Sequence, residues 1–249
     1  MNLVDAHTHI RPGQEEAAIQ LAQQGLWQLV AATNPDQCQP VSELAKAHPR
    51  IIPTFGMSPW QPHQYPLDCM DQWLAQAPII GEIGLDTVWS SAPMDIQRQS
   101  FLHQLQTAVK LNKPVMLHTK GAEAEIAQWL RKYTPPLIIV HWYSGPAEQL
   151  ADYVDLDCYF TLGPDIRLNP AVREVCRQVP LPRLLTETDG TESVAWGTGE
   201  ACSMADVPQV LRGILGEAAM IKGVAEEEMH ATVYDNLMRV LDHIAWPIP

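Results

Sequence analysis

Two histidines one residue apart, in the run LVDAHTHIRPG at positions 3–13, are the first residues of this chain equipped for chemistry. On a strand, His7 and His9 point to the same side, where one cation can take an imidazole nitrogen from each. Further along, Glu82 lies in PIIGEIG, His118 in PVMLHT, His141 in LIIVHW and Asp189 in RLLTETD, each at or near the end of a short apolar run. Four neutral imidazoles and two carboxylates gathered in one place point to divalent metal, because burying them unpaired is costly. An HxH pair occurs by chance, and a lone strand-end histidine is more often a satisfied structural residue. The constellation carries the inference. The remaining histidines take no part in it: His48 precedes a proline, His63 sits in a loop, and His103, His230 and His243 fall in helical patterns.

Those residues need elements that bring them together. Eight apolar runs read as strands, at 3–6, 27–33, 50–56, 78–84, 114–119, 137–142, 158–163 and 183–189. Helical patterns separate them: EEAAIQLAQQG with Gly25 as its stop, MDIQRQSFLHQLQTAVKLN with apolar residues at 96, 101, 102, 105, 108 and 109, and closing helices near 205–222 and 225–241. Continuous apolar strands each followed by a helix predict a parallel sheet covered on its outer face. At 249 residues the (β/α)8 TIM barrel is the economical solution, as a single domain over 1–249. Active sites of such barrels lie at the C-terminal ends of the strands, where the six residues fall.

Composition narrows the setting. The 16 basic and 29 acidic residues leave a formal charge of -13, which disfavours non-specific adhesion to nucleic acid or anionic membrane but allows a local cationic site or bound metal. Five cysteines without a CxxC suggest neither a disulfide framework nor a zinc knuckle, and fit a reducing compartment. There is no signal-peptide pattern at the N-terminus and no apolar run near the roughly 20 residues of a membrane helix. The expectation is a soluble cytoplasmic protein.

The segments DAHTHI, GEIGLD, VMLHTK, IVHWYSG and LLTETD resemble the strand-end motifs of the TatD family of metal-dependent hydrolases, within the wider amidohydrolase-type barrels. The resemblance runs over nearly the whole chain and includes Asn236 in the closing helix. It implies two divalent ions with Glu82 bridging them, His7, His9 and Asp189 on one, and His118 with His141 on the other; the nitrogen-rich donor set suits zinc, manganese or nickel on isolation, with magnesium as the alternative in the cell. It also implies a deoxyribonuclease acting on phosphodiester bonds of DNA or RNA. The chemistry agrees: ions about 3.5 to 4 Å apart clamp the attacking and leaving oxygens of a displacement, with Asp189 as general base. Asp5 and Asp86 are expected to orient the ligating histidines from behind.

Departures from the family concern the rim. Where it has Gly-x-His-Pro-His after strand 3, this chain has FGMSPW, so that Ser58 and Trp60 stand in place of histidines. Ile10 and Arg11 follow the HxH in place of Leu-Asp, Thr87 and Val88 replace Tyr-Arg after GLD, and Lys120 keeps the charge of a usual Arg. Trp60, Trp89, Trp142 and Trp196, four of the eight tryptophans, are expected in loops around the mouth. They suit stacked bases, with Lys120 and Arg11 meeting a phosphate, or an apolar ester or lactone. The glycine-containing segment 190–204 reads as a lid or an ordered crossing. Substrates in view are therefore a DNA or RNA strand or a small phosphodiester, or a small ester, lactone or amide on the same metals. A non-catalytic metal-stabilised partner protein is the third reading.

Overall fold

The computed structural model describes residues 2–248. Eight parallel strands run in sequence order: β1 (Val4–Thr8), β2 (Trp27–Ala32), β3 (Ile51–Phe55), β4 (Ile79–Gly84), β5 (Val115–His118), β6 (Ile138–Val140), β7 (Tyr159–Leu162) and β8 (Leu184–Thr186). Every strand residue is buried. This is why the strands read as unbroken apolar runs and not as alternating ones. The sheet returns on itself through Asp189 N donating to His7 O at 3.0 Å and Thr186 Oγ1 donating to Val4 O at 2.6 Å. The predicted (β/α)8 TIM barrel is the observed architecture.

Helices follow the strands: α1 (Glu15–Gln23), α2 (Pro35–Ala47), α3 (Asp71–Gln76), α4 (Met94–Lys110), α5 (Glu123–Tyr133), α6 (Ala147–Asp155), α7 (Pro170–Gln178), α8 (Thr191–Thr198), α9 (Val207–Lys222) and α10 (Glu226–His243). Their ends follow local chemistry. Gly25 takes φ 101° just beyond α1, as a helix stop requires, and Asn34 caps α2 by accepting from the amides of Asp36 and Gln37.

Helix α4 departs from its apolar pattern. Its buried face is Gln97, Ser100, Phe101, Gln104, Leu105 and Ala108, so two glutamines occupy the core side while Ile96, Leu102 and Val109 are only half-buried. The glutamines are there as backbone clamps. Gln104 accepts from Met57 N at 2.7 Å and donates to Met57 O at 3.0 Å, fixing the loop after β3. Gln97 does the same for Asp86, at 2.8 and 3.0 Å, fixing the loop after β4. A buried amide with both ends satisfied costs little, whereas its loss strands two backbone groups.

Two strands carry one extra residue against their neighbours. Between Asp5 and Thr8, β1 advances three positions while β2 advances two; between Ile80 and Ile83, β4 does the same against β5. Such bulges re-aim side chains. They fall at His7 and at Glu82.

Candidate metal centre

His7 within β1 is fully buried, and His9, just past its end, has a side chain 29% exposed. Glu82 reaches all four histidines: one carboxylate oxygen is 3.7 Å from His7 Nε2 and 3.6 Å from His9 Nε2, and the other 3.1 Å from His118 Nδ1 and 3.4 Å from His141 Nε2. Asp189 lies 3.4 Å from His7 Nε2 and 3.1 Å from His9 Nε2. It sits in the left-handed region at φ 57°, which aspartate tolerates better than most residues. Helix α8 has Gly190 at its N-cap, so Asp189 is not a helix cap. Donor atoms of three sets lie within 4.8 Å of one another: His7, His9 and Glu82; His7, His141 and Asp189; and Glu82, His118 and His141.

These side chains fit divalent ions and do not satisfy one another as hydrogen-bonding groups. Both ring nitrogens of His7 are buried without a hydrogen-bond partner. Nitrogen Nδ1 of His118 faces Nε2 of His141 at 3.1 Å while both face the same Glu82 oxygen. Acceptors crowded this closely suit a ligand set, and imidazole with carboxylate suits zinc, manganese or nickel. Electrostatics couple the cluster, because neighbouring carboxylates raise His9, His118 and His141 against the pull of burial. Burial pushes His7 down toward its neutral form. Burial also works to raise Glu82, but the His118 and His141 rings close beside it hold it well below the ordinary range. Asp189 is held low in the same way by His7 and His9.

Behind the cluster stand two carboxylates. Asp86 Oδ2 is 2.7 Å from His118 Nε2, as expected of it. Glu187 Oε1 is 3.5 Å from His141 Nδ1, with its other oxygen accepting from Thr161 Oγ1 at 2.7 Å. Glu187 was missed in the sequence, although its position two before Asp189 in LLTETD signalled a shared side of the strand end. Asp5 is the correction. It touches no histidine; its oxygens take the amide and the hydroxyl of Thr188, both at 2.7 Å, and burial raises its carboxyl to about 8. Its work is to brace the β8 end that presents Asp189.

The family model for TatD related DNases matches residues 4–242. The chain belongs to the TatD family. It is thereby a metal-dependent hydrolase. Among relatives of known sequence, the uncharacterized metal-dependent hydrolase YcfH of Escherichia coli K12 is 27% identical across 96% of each chain. The 3'-5' ssDNA/RNA exonuclease TatD of Citrobacter koseri is 27% identical across 84% of this chain and 85% of its own. In three dimensions the TatD homolog YjjV of Escherichia coli superposes with a TM-score of 0.83 at 24% identity, covering 100% of this chain and 99% of that one. A TatD-family hydrolase from Entamoeba histolytica gives 0.78 at 16% identity, over 96% and 98%. Both structures share the barrel.

Against that family background the rim divides the expected substrate residues. A cavity of about 1160 Å³ opens over the candidate metal centre and is lined by Trp60, Trp89, Trp142, Trp196, Lys120 and Arg11 among others. Ser58 does not reach it: only 2% exposed, it is packed beneath the loop, its amide donating to Thr33 O at 3.2 Å. Trp60 packs edge-on to His118, ring centroids 5.0 Å apart. Arg11 is in an ion pair with Glu192 and is not a free cation. Lys120 Nζ sits 2.9 Å from Ser144 Oγ and 4.8 Å from the Trp89 ring centroid. The 190–204 segment is part helix, and Trp196 lies on α8, not in a loop. No helix among the described residues is long and apolar enough to cross a membrane.

Proposed function

We propose that this protein hydrolyses phosphodiester bonds in short DNA or RNA strands. The observation that carries the reading is the position of Glu82 within reach of all four histidines, with Asp189 opposite. The donors then divide about Glu82, with His7, His9 and Asp189 to one side and His118 with His141 to the other. Two divalent ions held there would supply Lewis acidity toward a phosphoryl oxygen and would make water a stronger nucleophile at neutral pH.

The chain's own groups do the rest. Asp189, ionised and partly open to the cavity, takes the proton of the attacking water. Lys120 meets phosphate charge, and Asp86 and Glu187 keep the His118 and His141 rings in register. The relatives' names, TatD related DNase and single-stranded DNA/RNA exonuclease, support a nucleic-acid substrate. The five free cysteines support a reducing compartment, the cytoplasm.

A second reading, a hydrolase of a small ester, lactone or amide, is favoured by the acidic cavity rim, where Asp36, Glu123 and Glu192 outnumber the cations. The deciding experiment assays purified metal-loaded protein on single- and double-stranded DNA, RNA, a generic phosphodiester and a lactone. Turnover of the diesters upholds the proposal; turnover of the lactone alone replaces it with the second reading.

A further inference from the structure

Three tryptophans on three separate segments meet at the cavity mouth. Trp89 follows β4, Trp142 follows His141 directly, and Trp196 lies on α8. Trp196 stands between the others, with ring centroids 5.5 Å from Trp89 and 6.0 Å from Trp142 and rings nearly perpendicular to both. Trp142 is fixed at the inner end. Its Nε1 donates to Asp165 Oδ1 at 2.8 Å, its amide donates to Thr161 Oγ1 at 3.0 Å, and a Cβ on Gly163 would overlap its ring.

Trp89 and Trp196 are instead 51% and 67% exposed. A polar side chain would satisfy such a position on α8, whereas an indole leaves apolar surface in water. Large apolar groups clustered in the open at a cleft mark a binding surface.

Charge sets the class of ligand. Apart from the candidate metal ligands, five carboxylates and two cations line the cavity. One cation, Arg11, is paired with Glu192, which leaves Lys120 beside the Trp89 ring. A long polyanion is held by cations along its whole track. A planar ring carrying one or two phosphates needs one. The cavity's 1160 Å³ also lies just above the roughly 300–1,000 Å³ of small-ligand pockets.

We propose that Trp89, Trp142 and Trp196 form a nucleobase subsite, with Lys120 on the adjoining phosphate, which selects phosphodiesters of about dinucleotide size over long strands. The chemistry rests on the phosphodiester reading above; the subsite is a claim about binding and is tested separately from it. Metal-loaded protein is titrated with thymidine monophosphate and with ribose phosphate while tryptophan fluorescence is followed. It is then assayed on a thymidine dinucleotide and on the same diester lacking one base.

The base-bearing nucleotide should quench fluorescence and bind more tightly than ribose phosphate. Trp196→Ala should weaken its binding about tenfold, within the range for stacking one base on an aromatic ring, and Trp196→Phe should recover most of the loss. The preference in kcat/KM for the complete dinucleotide over the base-deficient one should fall by a similar factor in Trp196→Ala. Equal binding of nucleotide and ribose phosphate, or a Trp196→Ala protein with wild-type affinity and preference, overturns the subsite. If the wild-type protein hydrolyses neither diester yet nucleotide binding still depends on Trp196, the phosphodiester reading falls and the subsite stands.

Discussion

Asp86 Oδ2 lies 2.7 Å from Nε2 of His118, which turns the other ring nitrogen toward Glu82 and His141, each at 3.1 Å. Asp86 is itself anchored, because its Oδ1 accepts from the amides of Val88 and Trp89 at 2.7 and 2.6 Å, and Gln97 clamps its backbone. A residue on α4 thus sets the direction of a candidate metal-binding ring through a loop carboxylate.

Removing that orienting carboxylate should loosen the metal without removing a ligand. Asp86→Asn cannot both accept from the His118 N–H and from the loop amides through its single oxygen. Metal affinity, measured by competition with a chelator, is expected to fall roughly 10- to 100-fold. An unchanged affinity would show that His118 is held by its packing alone.

Glu82→Gln and Asp189→Asn should both abolish hydrolysis but leave different metal contents. Elemental analysis of the wild-type protein is expected to find close to two divalent ions per chain, and stripping them should end activity. Glu82 faces every histidine of the cluster, so its loss should empty most of the site. Asp189 is within 3.4 Å of His7 and His9 and stands farther from His118, so its amide should keep an ion at His118 and His141 while losing the base. Wild-type turnover in either variant sinks the assignment.

The two positions where family members carry loop histidines should answer substitution differently. Ser58 is buried, so Ser58→His overpacks the loop at a cost of about 1–3 kcal/mol and lowers Tm by several degrees. Trp60 lines the cavity, so Trp60→His is accommodated and puts a phosphate-binding imidazole near the metal centre, raising phosphodiester turnover. Calorimetry and a steady-state assay of the two single variants check this. A Ser58→His protein as stable as wild type contradicts the packing argument.

Thiol reactivity should separate the five cysteines into two groups. Burial pushes Cys38 up to about 12 and Cys176 to about 11, and raises Cys158 as well, so these three are protonated and shielded at neutral pH. Cys69 and Cys202 are half-buried. A thiol reagent on native protein is expected to modify Cys69 and Cys202 alone, with the other three reacting only in denaturant. Mass spectrometry showing early labelling of Cys38 would contradict the burial.

The barrel and its six convergent side chains were legible in the sequence for a local reason. Buried parallel strands are continuous apolar runs, and their last residues fall at one end of a barrel whatever the details of packing. His7, His9, Glu82, His118, His141 and Asp189 therefore announced themselves by position. What depended on pairs distant in the chain did not. Asp5 meets Thr188 only because β8 closes against β1; Glu187 meets His141 because β6 and β8 flank β7; and Arg11 is neutralised by Glu192 because α8 folds over the mouth. Gln97 and Gln104 fall outside the apolar positions of their helix and are core residues because two loop backbones need partners there. Ser58 and Trp60, two residues apart in one loop, separate into a buried packing residue and a cavity wall. Residue type and spacing determine which groups reach the end of the barrel, and tertiary closure decides which of them face one another, which face the cavity, and which spend their charge on a neighbour.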